Sequence, residues 1–222
     1  MLNQLIFSAV FILLGWMTSV IAIKHGYERK QLQLFPSQRK EAAIVLSAMV
    51  VMGFSAWQLW KPLSVLNILQ LIILLILIHA SITDILSLQI FTKPILITLT
   101  IMFIFNLILF MLGQPHNLLS GALAAILMFG IITITKEKGM GEGDLLIFVL
   151  MGLALSIGQL IVSFYIMVFA GSIVGLTIAG LKHKLHGLKI PFVPFMTLGF
   201  CVAIICGNLI VTAYLATFNI IL

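Results

Sequence analysis

The chain has 222 residues, of which 62% are hydrophobic and only 8% charged, with a formal net charge of +6. A soluble domain carries about 25% charged residues, so this composition excludes a water-facing globular surface. Segments 63–82 and 145–181 contain no Asp, Glu, Lys or Arg at all, and about 20 apolar residues suffice to cross a bilayer as a helix. The expected fold class is therefore all-α: a polytopic membrane protein of about eight transmembrane helices, forming one membrane domain over residues 1–222.

Charges, prolines and glycines set the breaks. In chain order the predicted spans are 2–23, 43–60, 63–83, 94–112, 117–135, 144–157, 158–181 and 191–216. The first is expected to be retained rather than cleaved as a secretory signal. Its first positive charge, Lys24, follows the apolar stretch, and no small-residue cleavage site is evident. Segment 24–42 is the longest polar stretch; it is too short for a folded domain and is expected to be a connecting loop. The sixth span is short, about 20 Å at the α-helical rise of 1.5 Å per residue. It either tilts into the bundle or merges with the seventh, which would leave seven spans and reverse the C-terminus.

The distribution of basic residues favours eight. With the N-terminus outside, the inner loops hold Lys24, Arg29, Lys30, Arg39, Lys40, Lys93, Lys136, Lys138, Lys182, Lys184 and Lys189, leaving only Lys61 of the twelve outside. A merged sixth and seventh span would put the Lys182–Lys189 loop on the other side. The positive charge thus reads as topology and attraction to anionic lipid. Without a basic domain interleaved with aromatics outside the bilayer, no nucleic-acid partner is expected.

The chain's two aspartates, Asp84 and Asp144, each fall at the inner end of a predicted span. An acid at the edge of hydrocarbon is costly unless hydrated or paired, and such residues usually face a cavity within the bundle. Two acids at one depth on different helices can converge. Close carboxylates share a proton, so one accepts a proton from attacking water while the other polarises a carbonyl. Placement alone suits helix capping for Asp144 better than catalysis, and proton or cation translocation is a further alternative. The flanking Gly139-Met140-Gly141-Glu142-Gly143 shifts the balance, because glycine permits close backbone approach and unusual dihedrals. A substrate peptide unwound in hydrocarbon needs such backbone partners.

Other chemistry-bearing residues are isolated. Cys201 and Cys206 form no C-x-x-C pair and are expected to be small buried apolar groups. His183 and His186 lack local partners for a metal site, and His25 and His116 lie in loops. His79 is five residues before Asp84, so the two point about 140° apart on a helix, and a helix-packing role is expected for His79. No metal site and no cofactor are expected.

Gly141-Glu142-Gly143-Asp144 matches the G-x-G-D motif shared by prepilin peptidases, preflagellin peptidases and presenilin-type proteases. The longer Gly139-Met140-Gly141-x-Gly143-Asp144 is similar to the form typical of prepilin peptidases. Thr83-Asp84-Ile85-x-Ser87-x-x-Ile90 resembles that family's first aspartate motif. Ile190-Pro191-Phe192-x-Pro194-Phe195, followed by Leu198-Gly199, resembles its last-helix signature. The three motifs, in order, cover the chain from about residue 70 to 200, and the chain thus resembles the type IV prepilin peptidases. The resemblance implies an eight-helix intramembrane aspartyl protease of the bacterial cytoplasmic membrane, with its active site on the cytoplasmic side. It implies that Asp84 and Asp144 are the catalytic pair. Its substrates would be prepilins or pseudopilins, cut after a short basic leader just before their hydrophobic helix. Gly139, Gly141, Glu142 and Gly143 would form the active-site turn, with Glu142 placed to contact the basic leader.

Three departures stand out. Leu146 replaces the Lys often found two residues after the second aspartate, and Ile90-Phe91-Thr92 replaces the usual Ile-Pro-Asn. Residues 24–42, without cysteine, stand in place of the Cys-rich cytoplasmic domain linked to N-methylation. The expectation is a protease without zinc or methyltransferase activity; a non-catalytic homologue serving pilus or secretion assembly is the alternative, beside the transporter.

Overall fold

A computed structural model describes residues 2–28, 38–59, 64–135, 141–182 and 190–217. Among these residues the chain forms eight α-helices and no strand: α1 (Leu2–Glu28), α2 (Gln38–Leu59), α3 (Val65–Ser87), α4 (Thr92–Met111), α5 (Leu118–Thr135), α6 (Glu142–Ala154), α7 (Ile157–Lys182) and α8 (Val193–Thr217). The chain is an all-helical polytopic membrane protein. Six helices are long and apolar enough to cross a bilayer; the exceptions are α2, whose apolar stretch is Ile44–Leu59, and α6, with 13 residues.

The outer faces carry large apolar side chains, among them Ile97, Ile126, Phe129 and Phe169, as expected where the solvent is lipid. The centre is built on α3, which packs against α1, α2, α4, α6 and α8. Its fully buried Leu71, Ile73, Leu74 and Leu77 share the core with Phe148 and Met151 of α6 and Phe200 of α8. On α4 only Ile95, Met102 and Asn106 are buried, one helical stripe at spacings of seven and four.

The sixth and seventh spans do not merge. Leu155 is extended (φ −115°, ψ 144°), and Ser156 begins a new helix through a reciprocal cap. The Ser156 amide donates to Gln159 Oε1 at 3.0 Å, and the Gln159 amide donates to Ser156 Oγ at 3.4 Å. This is a capping box, and it separates α6 from α7.

Small residues let α5 approach α6 closely. A Cβ on Gly152 would lie 2.7 Å from Ala124 Cβ and 2.9 Å from the Ser120 carbonyl oxygen. Such close approach is a common means of helix association in membranes, where apolar burial drives nothing.

Candidate functional site

The alternating direction of the helices brings the C-terminal end of α3 and the N-terminal ends of α6 and α8 to one side of the bundle. Asp84 and Asp144 are both there, and both are buried, at 7% and 8% exposure. The sequence places Asp84 at the end of its span; the helix runs on to Ser87, so Asp84 lies in the last turn instead of closing it. That turn ends at Leu88, whose amide donates to the Asp84 carbonyl oxygen at 2.9 Å. Leu88 adopts a left-handed conformation (φ 52°, ψ 33°), usually taken at this position by glycine.

The first amides of a helix have no intrahelical partner and carry the positive end of its dipole. Both carboxylates occupy such positions. Asp84 reaches from α3 to the start of α8, where Oδ2 accepts the Val193 amide at 3.1 Å. Asp144 sits at the third residue of α6, and its Oδ2 accepts the Gly141 amide at 3.0 Å. The capping role that placement suggests for Asp144 is therefore made. It coexists with a buried position on the same side of the bundle as Asp84. The arrangement places two acids, each anchored through a helix N-terminus, on one side of the bundle.

The glycines around Asp144 differ in their surroundings. Gly141 has φ −89° and ψ 163°, extended backbone open to any residue, and a Cβ there would meet only Asp144 Oδ2, at 3.9 Å. Gly143 is helical, and a Cβ on it would come within 2.9 Å of Ile90 Cδ1. Its smallness thus lets the start of α6 approach the segment following α3. Gly139 lies outside the described residues. Glu142 is exposed in the first turn of α6.

One turn before Asp84, Ser81 Oγ and Thr197 Oγ1 share a hydrogen bond of 2.6 Å between α3 and α8. They line a cavity of about 260 Å³ between α2, α3 and α8, walled by Val51, Ile82, Ile85 and Pro194 among others. Its residues adjoin the site directly, since Ile85 follows Asp84 and Pro194 follows Val193.

The remaining candidates lie apart. The His79 ring meets Phe91 edge-on at 5.8 Å, a packing contact. His116 approaches the Gln114 carbonyl at 3.2 Å; His183 and His186 are outside the described residues. Cys201 is buried and Cys206 partly so, both as free thiols. Among the described residues no three His, Cys, Asp or Glu side chains gather as metal ligands would.

Two residues that sequence reasoning does not single out have buried polar roles. Gln70 donates to the Ala154 carbonyl oxygen at 2.8 Å, and Asn106 donates to the Leu153 carbonyl oxygen at 3.0 Å. Both are amide side chains inside long apolar runs, and such residues in a membrane span are a signal in themselves. The amide that holds Asp84 leaves no such mark, because it belongs to the backbone.

A family model, described as the type IV leader peptidase family, matches residues 71–179. That stretch begins within α3, ends within α7 and contains both aspartates. The searches of curated proteins and of solved structures returned no match.

Proposed function

We propose that this chain, which belongs to the type IV leader peptidase family, is a membrane aspartyl endopeptidase that removes the short basic leader of prepilins or pseudopilins. The observation that carries the proposal is the pair of buried acids at one end of the bundle. They are the chain's only aspartates, come from different helices and are both buried, each carboxylate accepting a backbone amide at a helix start. In the proposed mechanism Asp84 and Asp144 hold one proton between them. The ionised carboxylate takes a proton from water as that water attacks the scissile carbonyl, and the protonated one donates a hydrogen bond to the carbonyl oxygen. The dyad titrates as one unit, so neither role is fixed to one residue. Amides at the starts of α6 and α8 hold the two carboxylates in position without a bound cofactor.

The same reading assigns the surroundings. The exposed Glu142 contacts the basic leader, and the turn containing Gly139, Gly141 and Gly143 lies along the substrate backbone. The apolar cavity beside Asp84 takes side chains of the hydrophobic segment that follows the cut. The protein lies in the bacterial cytoplasmic membrane with its N-terminus outside and the dyad on the cytoplasmic side. Residues 24–42 replace a Cys-rich domain, so the product keeps an unmethylated N-terminus.

Co-expression with a prepilin tests the activity. Asp84→Asn and Asp144→Asn keep the side-chain size and an oxygen able to accept the Val193 or Gly141 amide, so membrane levels stay near normal. Acid–base catalysis contributes about 10²–10⁴-fold; each variant should lose at least that much, and the double variant little more, since the pair acts together. Near-wild-type shortening of the prepilin by either variant refutes the dyad. No shortening by the wild-type chain favours the non-catalytic homologue.

A further inference from the structure

The short helix α6 carries Asp144 at one end and stops inside the protein at the other. Leu153, Ala154 and Leu155 are buried, at 3%, 0% and 0% exposure. The last carbonyls of a helix have no intrahelical partner, and a buried one needs a partner from the protein. Two side chains do. Gln70 of α3 bonds the Ala154 carbonyl at 2.8 Å. Asn106 of α4 bonds the Leu153 carbonyl at 3.0 Å and also its own helix at Met102, at 2.9 Å. Asn106 is held in turn from its other side, since Oδ1 accepts the Asn117 amide at 2.6 Å.

Gln70 and Asp84 are on the same rigid helix, fourteen residues apart, or about 21 Å at the helical rise. Ala154 and Asp144 are ten residues apart on α6, or about 15 Å. Thus α3 bonds the buried end of α6 through Gln70, and each helix carries its aspartate toward the opposite end. The apolar contacts between them are non-directional and set axial register only weakly. A hydrogen bond to a helix terminus sets it sharply, because that carbonyl has one position along the axis.

We propose that Gln70 and Asn106 are positioning residues for the site: by clamping the buried end of α6 they fix its axial register against α3 and α4, and so fix where Asp144 lies along the bundle relative to Asp84. The consequence for catalysis rests on the proposed peptidase function; the consequence for geometry does not. Neither residue touches substrate, and the distance over which they act is the length of α6.

Two readouts separate the geometry from the chemistry. The first is proximity. In a Cys201→Ala, Cys206→Ala background, Asp84→Cys with Asp144→Cys should form a disulfide or accept a short thiol crosslinker. Adding Gln70→Leu or Asn106→Leu should lower crosslinking several-fold at equal protein level, and both together further. The second is kinetic. In the chain with both aspartates, each Leu variant should lower kcat about tenfold with KM for a prepilin substrate little changed. Gln70→Asn, one methylene shorter, keeps an amide in the bundle and should fall between wild type and Gln70→Leu. It carries the same test if the Leu variant accumulates poorly. Unchanged crosslinking in these variants overturns the proposal, whatever happens to cleavage. Reduced crosslinking in a protein that cleaves no prepilin even as wild type upholds the register and refutes the peptidase assignment instead.

Discussion

Replacing Gly152 by Ala should destabilise the protein although alanine is the better helix former. The added Cβ would lie 2.7 Å from Ala124 Cβ, 2.9 Å from the Ser120 carbonyl oxygen and 3.0 Å from Gly121 Cα. None of these is the free end of a flexible chain, so no rotamer change relieves the contact. Ordinary Cβ contacts begin at 3.4 Å, and α6 must move about 0.7 Å from α5 to restore one. Overpacking of this kind costs about 1–3 kcal/mol, and rigid neighbours place it in the upper half of that range. The gain in helix propensity, up to about 1 kcal/mol, partly masks it. Gly130→Ala on α5 measures that gain alone, because a Cβ added there would meet nothing within 4 Å. Denaturant or thermal unfolding in detergent micelles should therefore separate the two variants by about 2–3 kcal/mol. Cleavage by Gly152→Ala should also fall, since the displaced helix carries Asp144. Equal stability of the two variants, within about 0.5 kcal/mol, would refute the close-packing argument.

Leu88→Gly should stabilise the chain by about 0.5–1 kcal/mol in the same unfolding assay: left-handed backbone costs a side-chain-bearing residue about 1–2 kcal/mol, and the flexibility of glycine returns part of that. A destabilised variant would mean that packing of the Leu88 side chain outweighs its backbone strain. Single cysteines at positions 61 and 30 should be labelled by an impermeant reagent from outside and not at all, respectively; labelling at 30 reverses the topology and puts both acids on the outer side. Cleaved prepilin from a host without other such enzymes should have an unmodified N-terminus by mass spectrometry, and an added methyl group would contradict the reading of residues 24–42.

The spans are legible because hydrocarbon imposes a length and composition on each helix that a sequence window reads directly. The predicted 117–135 and 158–181 differ from α5 and α7 by a residue or so at each end. The two aspartates stand out because acids are rare in such a chain, and their joint position at one end follows from counting spans. Hydropathy alone leaves the boundary between α6 and α7 ambiguous, yet Ser156 and Gln159 have the spacing of a capping box, a signal available without coordinates. The amide of Val193 is not legible: the bond to Asp84 joins residues 109 apart, and a backbone donor leaves no residue-type signature. Gly141 is a different case. Glycine is a conspicuous residue, but the conformation at 141 makes no demand for it.

The bond between Asp84 and Val193 also orders events in time. Asp84 is synthesised 109 residues before the amide that holds it, an interval of about 5–20 s at ordinary rates of translation. During that interval α3 must sit in the membrane with its acid unanchored, and Asp144 arrives only with the sixth helix. The nascent chain therefore inserts its first aspartate before the amide that holds it, and α8 is the element that supplies that amide. A ribosome stalled before residue 193 should leave a species in which the α3 acid end is open to water and to proteases, and release of the last helix should close it.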